Sequence, residues 1–387
     1  DGGAREAALF IPSLPPNFND QGILTKKKLS PTVYLLSVAS LLNDMSSEMI
    51  VPLLPLFLSS VLGAGAFALG AIEGLAESTA SLVKLGSGLW SDRRGHKKIL
   101  ILAGYGGSGL VRPLIGLAGS WPAVMALRFA DRVGKGIRAA PRDALIADVT
   151  VPLLRGRAYG LNRSMDHIGA VLGPLIAAFL MSGLGLSLRH VFLWAFVPGL
   201  AVLAVLGLLL HDPVRRSSPA EESPKQSFAL KGLRRLLASS GKLRLFLVAV
   251  LVFTLGNSTD TFILLRLSDL GVSAGWIAGL WSLIHVVKAV STYYGGLWSD
   301  RIGRKALITG GWVFYALIYM GFAYETSRSA CVALFLAYGF YYGLTEPAER
   351  ALVSDLAPAH LRGTAFGLYN MVIGLGALPA SLLTGLL

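Results

Sequence analysis

Long apolar stretches, separated by short polar ones, run through most of the 387-residue chain. A helix that crosses a lipid bilayer needs about 20 mostly apolar residues. On this criterion we predict eleven helices, over 31–58, 67–87, 98–118, 121–141, 158–182, 189–210, 243–266, 274–295, 305–324, 329–348 and 364–387. The hydropathy pattern therefore indicates an all-α protein that crosses a membrane many times.

A hydrophilic segment interrupts this pattern after the sixth helix. Within it, residues 228–238 place leucines and basic residues at helical spacing. We interpret them as an amphipathic helix whose leucines rest on the membrane while Lys231, Arg234 and Arg235 face lipid headgroups. The predicted domains are an N-terminal cytoplasmic segment 1–30, a six-helix bundle 31–211, a cytoplasmic linker 212–242 and a C-terminal bundle 243–387.

Composition and charge support a membrane location. Hydrophobic residues make up 53% of the chain, charged residues only 15%, and the mean hydropathy is +0.61. The net charge of +13 arises mostly from loops on one side of the predicted helices, and the other side keeps Arg189 and Arg328. Such a bias predicts cytoplasmic basic loops and a cytoplasmic N-terminus, in a bacterial inner membrane. The basic balance is therefore explained by topology, and no nucleic-acid partner is expected.

Several kinds of chemistry are not expected from this sequence. Cys331 is the single cysteine, so no disulfide can form within the chain. No cluster of residues with metal-ligand spacing and no phosphate-binding GxxxxGK[ST] loop occurs in the sequence. We therefore expect no metal, no cofactor and no direct coupling to ATP. A nucleophile with an adjacent base is not evident either, so we do not expect an enzyme.

Two sequence segments recur at a nearly constant offset. Residues 88–98 read GLWSDRRGHKK and residues 296–305 read GLWSDRIGRK, an offset of 208. Residues 142–148 read RDALIAD and residues 349–355 read ERALVSD, an offset of 207. Because an even number of helices precedes the second copies, the two halves are predicted to be parallel repeats.

The doubled loop resembles the signature of the major facilitator superfamily. The matching positions are Gly88, Asp92, Arg93, Gly95 and Lys97, and then Gly296, Asp300, Arg301, Gly303 and Lys305. His96 stands where a basic residue is usual, which is a departure from the signature. The resemblance implies two six-helix bundles related by a pseudo-two-fold axis along the membrane normal. It also implies a monomer with a central substrate cavity and alternating access, driven by a proton gradient.

The resemblance also implies a twelfth helix, which the sequence does not contain. The chain stops at Leu387, at the far end of the eleventh predicted helix. We expect that the sequence is incomplete, rather than that the protein has an eleven-helix design.

The doubled loop has two interpretations. It can be a turn that carries positive charges on the cytoplasmic side. It can also be a latch, because an aspartate near a helix end can cap neighbouring helix termini and pair with arginine. We favour the latch, since a turn alone needs no aspartate at Asp92 or Asp300.

Charged side chains within the predicted helices are costly in lipid and must face protein or water. They can be structural ion pairs, with acids of the first two helices neutralising bases of the fourth, or one carboxylate can carry a proton during transport. By the resemblance, Arg132 followed by Gly136 matches the RxxxG stretch linked to proton coupling. The proton-coupling candidates are Asp44, Glu48, Glu73, Glu77, Arg132 and Asp166.

By the resemblance, helices 1, 4, 7 and 10 line the cavity. The substrate-cavity candidates are Asn43, Arg128, Arg163, Asn257, Asp260, Lys288, Tyr341, Tyr342 and Glu346. For the tyrosines, anchoring at the membrane interface is the alternative role. The cationic stripe on the fourth helix favours a small organic substrate that is anionic or zwitterionic.

The fifth helix contains Gly169-x-x-x-Gly173-Pro174, which looks like the antiporter motif of drug-exporting members. The match is partial, because Ala177 and Ala178 replace glycines that usually follow. The motif implies close packing against the eighth helix and favours export. A glycine pair at this spacing is also a general helix-packing element. Proton symport for uptake, and a sensor or scaffold that transports nothing, remain as alternatives.

Overall fold

The computed structural model describes residues 28–210, 229–257 and 260–386, and every regular element in these ranges is a helix. The first half contains α1 Pro31–Glu48, α2 Ala66–Arg94, α3 Lys97–Leu114, α4 Trp121–Asp148, α5 Arg155–Ala178 and α6, in two segments Leu188–Trp194 and Phe196–Leu209. The linker helix Ala229–Ser239 follows. The second half contains α7a Gly241–Leu255, α7b Asp260–Asp269, α8 Ala274–Ile302, α9 Arg304–Tyr324, α10 Arg328–Leu356 and α11 Arg362–Leu386.

All eleven predicted helices are present, but four of them are longer than predicted. At their C-terminal ends α2, α4, α8 and α10 continue for about two turns past the apolar stretch. The added turns carry charged side chains, among them Asp92, Asp148, Asp300 and Asp355. A hydropathy criterion detects only the apolar part of each helix. The helices continue further because their charged side chains bind other residues at one end of the molecule.

Prolines set both limits of α1. Pro31 occupies its first turn, where a missing N–H costs nothing, and the Ser30 hydroxyl accepts a hydrogen bond from the Thr32 N–H. Regular α-helix ends at Glu48, and irregular helical turns that contain Pro52 and Pro55 continue the span to Val61. These two prolines therefore distort the outer end of the span.

The helices form two bundles that pack against each other along matching faces. In the first half α1 packs on α5 and α6, and α4 packs on α2 and α3. In the second half α10 packs on α8 and α9. Between the halves α5 lies against α8 and α2 lies against α11. Because α8 and α11 are the repeat counterparts of α2 and α5, these two contacts are related by the pseudo-two-fold axis.

The surface is suited to lipid. Five spans in the described part of the chain are long and apolar enough to cross a membrane by themselves, namely Pro31–Val61, Lys97–Leu117, Pro152–Gly183, Leu188–Leu209 and Arg304–Tyr324. Large apolar side chains such as Leu208, Leu245 and Leu317 face outward, while several charged residues are buried inside. This inversion of the usual pattern is what a bilayer requires.

The linker helix differs from its predicted role. Leu236 is fully buried, and Leu233 and Leu237 pack against the same core, while Arg234 and Arg235 are exposed. The helix contacts α2 of the first half and α11 of the second half. The prediction that its leucines rest on the membrane was wrong for Leu236, which is buried inside the protein, while Leu233 and Leu237 are half-buried.

Glycines determine how closely α5 approaches its neighbours. At Gly169 and Gly173 the nearest atoms belong to α1, whereas α8 is approached at Gly156 and Gly160. A Cβ atom on Gly160 would lie 2.7 Å from the Thr292 carbonyl oxygen. The predicted packing of α5 against α8 is therefore present, but it is made at Gly156 and Gly160, whereas the glycines of the antiporter-like motif bring α5 onto the charged face of α1.

Replacing Gly173 by alanine is expected to lower the stability of the first half. The new Cβ would lie 2.7 Å from the Met45 carbonyl oxygen and 2.8 Å from Glu48 Cβ, and overpacking of this kind costs about 1–3 kcal/mol. Thermal unfolding of the purified protein measures the change. Gly207→Ala is the matched control, because the space there is open and alanine favours helix. Equal melting temperatures for the two variants would contradict the assigned packing.

Candidate functional site

Arg112 on α3 holds three helices of the first half together. Its guanidinium donates to Asp131 Oδ1 at 2.8 Å, and to the backbone and side-chain oxygens of Asn43 at 2.9 and 3.0 Å. Asn43 in turn donates to Asp44 Oδ1 at 2.7 Å. The substrate-cavity candidate Asn43 is 3% exposed, and its side-chain amide holds Asp44.

Arg128 on α4 joins the acids of α2 and α4. Its guanidinium lies 2.8 Å from Glu73 Oε1 and 3.5 Å from Asp131 Oδ2, and Arg128 is 1% exposed. This is the arrangement of a structural ion pair between α2 and α4. The side chain of Glu77 lies outside the described residues.

Asp44 and Glu48 lie on the face of α1 that meets α5. The charges that act on Asp44 are Asp166 of α5 together with Arg138 and Lys135 of α4. Glu48 is next to Asp44, and the nearby bases include Arg132, which is 7% exposed. A carboxylate at either position is thus placed between like and opposite charges, so adding or removing one proton changes the local balance of charge.

A second buried cluster lies where α4 and α5 meet. Arg163 lies 2.6 Å from Asp166 Oδ2 and 3.6 Å from Asp143 Oδ1, and Arg142 lies 3.0 Å from Asp143 Oδ1. Arg142 also donates to the Ser40 hydroxyl at 2.9 Å. The candidates Arg163 and Asp166 therefore belong to one network of two bases and two acids.

Asp143 also reaches across to the second half. Arg350 Nε on α10 lies 3.4 Å from Asp143 Oδ2. Asp143 and Arg350 are repeat equivalents, because RDALIAD aligns with ERALVSD and the charge order is reversed between the copies. Residues at equivalent positions meet at the pseudo-two-fold axis, and the reversal turns repulsion into an ion pair there. We refer to Asp143 and Arg350 as the axis pair.

The second half supplies an aromatic wall. Tyr338 and Tyr341 are buried with their rings stacked, centroids 5.8 Å apart, and Tyr342 contacts both rings. Lys288 Nζ lies 3.8 Å from the centroid of the Tyr342 ring. Among the other candidates on this side, Asn257 accepts a hydrogen bond from the Tyr315 hydroxyl at 3.1 Å. The side chain of Asp260 lies outside the described residues.

Each of the doubled loops contacts a helix of the opposite half. Asp92 accepts hydrogen bonds from the Gly363 N–H at 2.9 Å and the Thr364 N–H at 2.6 Å, at the start of α11. Asp300 accepts from the Gly156 N–H at 2.9 Å and the Arg157 N–H at 2.8 Å, at the start of α5. Each aspartate therefore caps a helix of the opposite half. We refer to these two caps as the crossed caps, and to the end that carries them as the loop end.

Ion pairs surround the crossed caps with the same symmetry. Arg155 lies 2.7 Å from Asp355 Oδ1, and its repeat equivalent Arg362 lies 2.8 Å from Asp148 Oδ1. Lys97 also pairs with Asp148. The loop end is therefore closed.

The other loop residues have separate roles. Gly95 and Gly303 have φ angles of 73° and 102°, which favour glycine. A Cβ on Gly88 would collide with Gly363, and one on Gly296 would lie 2.8 Å from Gly160 Cα. The remaining loop candidates Arg93, Arg301 and Lys305 are exposed.

The sequence matches the Major Facilitator Superfamily over residues 36–381. The chain belongs to the major facilitator superfamily. An uncharacterized MFS-type transporter of Methanocaldococcus jannaschii is 35% identical over 367 residues, which cover 93% of this chain and 89% of that protein. Multidrug resistance protein MdtH of Edwardsiella ictaluri is 25% identical over 355 residues, 89% of this chain and 83% of that protein.

Solved structures show the same fold. The human organic anion transporter MFSD10 superimposes with a TM-score of 0.70 at 18% identity, covering 92% of this chain and 93% of that one. The E. coli fucose:proton symporter FucP gives 0.71 at 16% identity, covering 92% and 91%. At these identities the likeness concerns the fold. This major facilitator superfamily protein is thus a membrane transporter built from two repeated bundles.

Sequence reasoning missed several residues of this superfamily member's interior. Glu349 is buried and accepts hydrogen bonds from the Trp312 indole and the Tyr369 hydroxyl. His167 on α5 and His285 on α8 meet between the halves, with their Nδ1 atoms 3.3 Å apart. The reversed charges in the repeat were the available signal for Glu349, whereas no local pattern pairs the two histidines.

Proposed function

We propose that this protein is a proton-coupled antiporter that exports a small organic compound from a bacterial cell by alternating access. The observation that supports it most is the pair of crossed caps. Each cap joins a loop of one half to a helix of the other, so both must break together if the halves rotate. A sensor or scaffold needs no such reversible joint.

The orientation follows from the distribution of basic residues. The loop end carries the exposed Arg93, Arg94 and Arg301, and basic loops favour the cytoplasmic side. We therefore place the loop end and the N-terminus in the cytoplasm of the cell. On this assignment the structure is closed toward the cytoplasm, and breaking the crossed caps would expose the interior to it.

The charged residues on and around α1 limit which class of solute can be exchanged for a proton. Antiport requires the solute and the proton to compete for the same binding site. Asp44, with its basic neighbours Arg138 and Lys135, allows this competition for a zwitterion. The solute's ammonium group would bind the Asp44 carboxylate while its carboxylate group binds the bases. Protonation of Asp44 would then expel the solute. A purely anionic solute would instead bind better when Asp44 is protonated, because Arg138 and Lys135 are then no longer neutralised by its carboxylate. Solute and proton would then bind together, and symport would result.

Proteoliposomes with an imposed pH gradient test this proposal. We expect zwitterionic solutes in a broad panel to drive proton movement opposite to their own, and Asp44→Asn to lower that flux roughly tenfold or more, since a neutral amide cannot exchange a proton. Glu48→Gln identifies whether the neighbouring carboxylate shares the role. Unchanged proton dependence in both variants would overturn coupling at α1, and no flux with any solute would favour the sensor.

A further inference from the structure

We propose that His167, His285 and Glu346 form a proton-binding site shared by the two halves, which holds one proton while the loop end is closed. The proposal deepens the antiport function and rests on it only for the direction of transport. His167 belongs to α5 of the first half, whereas His285 and Glu346 belong to α8 and α10 of the second. The site is therefore complete only when the halves are together.

The geometry determines where the proton resides. The two Nδ1 atoms are 3.3 Å apart, so one of them must carry a hydrogen and the other must accept it. His167 Nε2 faces Glu346 Oε2 at 3.4 Å on its other side. A doubly protonated His167 can therefore donate to His285 through Nδ1 and face the Glu346 carboxylate through Nε2. This arrangement places one positive charge beside one negative charge.

Loss of that proton keeps the contact between the rings. When the proton on Nε2 leaves, His167 becomes neutral and still donates from its Nδ1 to the Nδ1 of His285. A second proton has the opposite effect. Both Nδ1 atoms then carry hydrogens and both rings are positive, so the histidines repel each other and the halves with them. The number of protons on the site thus biases the halves toward contact or separation.

The surroundings favour a proton over a metal ion as the ligand. The two rings point their Nδ1 atoms at each other, and among the described residues no group of three possible ligands has a metal-binding arrangement. His167 and Glu346 side chains are 14% and 24% exposed, so the site is neither sealed nor at the surface. On the adjoining helices Arg163 and Arg350 act on Glu346, and Lys288 lies against the Tyr342 ring that contacts His167. Beyond them, Asp143 and Asp166 pair with Arg163, and Asp44 is close to Asp166.

The test measures opening of the loop end as a function of pH, without any solute. Ser354 is fully buried at the loop end, so a Ser354→Cys reporter is protected from a water-soluble maleimide while the halves are closed. Acidification should increase the labelling rate roughly tenfold as the second proton binds. His285→Gln and His167→Gln should each abolish this increase, because only one ring can then become positively charged and no repulsion between two rings arises.

Controls separate this site from other histidines and from unfolding. His190→Gln removes a histidine that hydrogen-bonds Ser187 away from the halves' interface, and its pH response should equal that of the parent. An exposed Ala359→Cys reporter should label at the same rate in every variant, and unfolding would instead expose Ser354→Cys at all pH values. An acid response that persists in both His285→Gln and His167→Gln would overturn the proposal.

The same variants distinguish this proposal from the antiport function. If no solute moves protons while the pH response of Ser354→Cys labelling is lost in His285→Gln, the antiport proposal fails and the proton site stands. If solute-driven proton flux is normal while the labelling shows no histidine-dependent pH response, the proton site fails and antiport stands.

Discussion

Replacing Asp92 and Asp300 together by asparagine is expected to open the loop end. The two carboxylates accept hydrogen bonds from four backbone N–H groups, at the starts of α5 and α11. An asparagine keeps one acceptor oxygen and turns its NH₂ group toward the second N–H, so one bond is lost at each cap. A hydrogen bond to a charged group contributes about 1.5–3 kcal/mol, so the closed state should lose at least about tenfold in population for each cap.

Labelling of the Ser354→Cys reporter measures this opening, because Ser354 is fully buried when the loop end is closed. Either single variant should accelerate labelling, and the double variant should accelerate it more. Asp269→Asn is the control, since Asp269 is an exposed aspartate at the end of α7b. Labelling as slow in the double variant as in this control would show that the crossed caps do not hold the loop end closed.

Breaking the axis pair is expected to be the most destabilising single change. Removing one partner of a buried ion pair costs about 3–5 kcal/mol, because the other charge is left without compensation. Asp143 is 2% exposed and lies beside Arg142 and Arg163 as well as Arg350. Asp143→Asn therefore leaves three bases together, whereas Arg350→Gln leaves an acid that still has two partners. We expect the Asp143 variant to be the less stable of the two.

Thermal unfolding and solute flux of both single variants and the double variant measure this effect. The double variant should lose less than the sum of the single losses, because both charges of the pair are then absent. Arg362→Gln is the matched control, since its partner Asp148 is 28% exposed and such pairs contribute about 1 kcal/mol or less. Additive losses in the double variant would show that the axis pair does not act as a unit.

The sequence predicts the helices and the two halves well for a physical reason. A bilayer imposes a minimum apolar length, so each span is visible as an apolar stretch in the sequence. The duplicated loop at Asp92 and Asp300 marks the repeat. The spans were underestimated where they continue past the membrane into charged turns, as at Asp148 and Asp355. There the helix depends on partners distant in the sequence.

The pairing of charges could be predicted only in part. An acid of α2 and a base of α4 do meet, at Glu73 and Arg128. The axis pair was implicit in the reversed charges of the repeat, because a two-fold axis brings equivalent positions together. The contact of His167 with His285 depends on the rotation of α5 and α8 about their own axes, which hydropathy does not determine.

If the halves rotate against each other, one end of the protein closes as the other opens. Spin labels on Leu153→Cys and His360→Cys report the loop end, and labels on Gly119→Cys and Thr326→Cys report the opposite end. These exposed positions are repeat equivalents within each pair, and Cys331 is replaced by alanine. Distances between the labels are measured by double electron–electron resonance in the parent and in the double variant Asp92→Asn, Asp300→Asn. In the variant we expect the loop-end distance to be longer and the opposite distance to be shorter than in the parent. Two distances that stay constant, or that lengthen together, would contradict rotation of the halves.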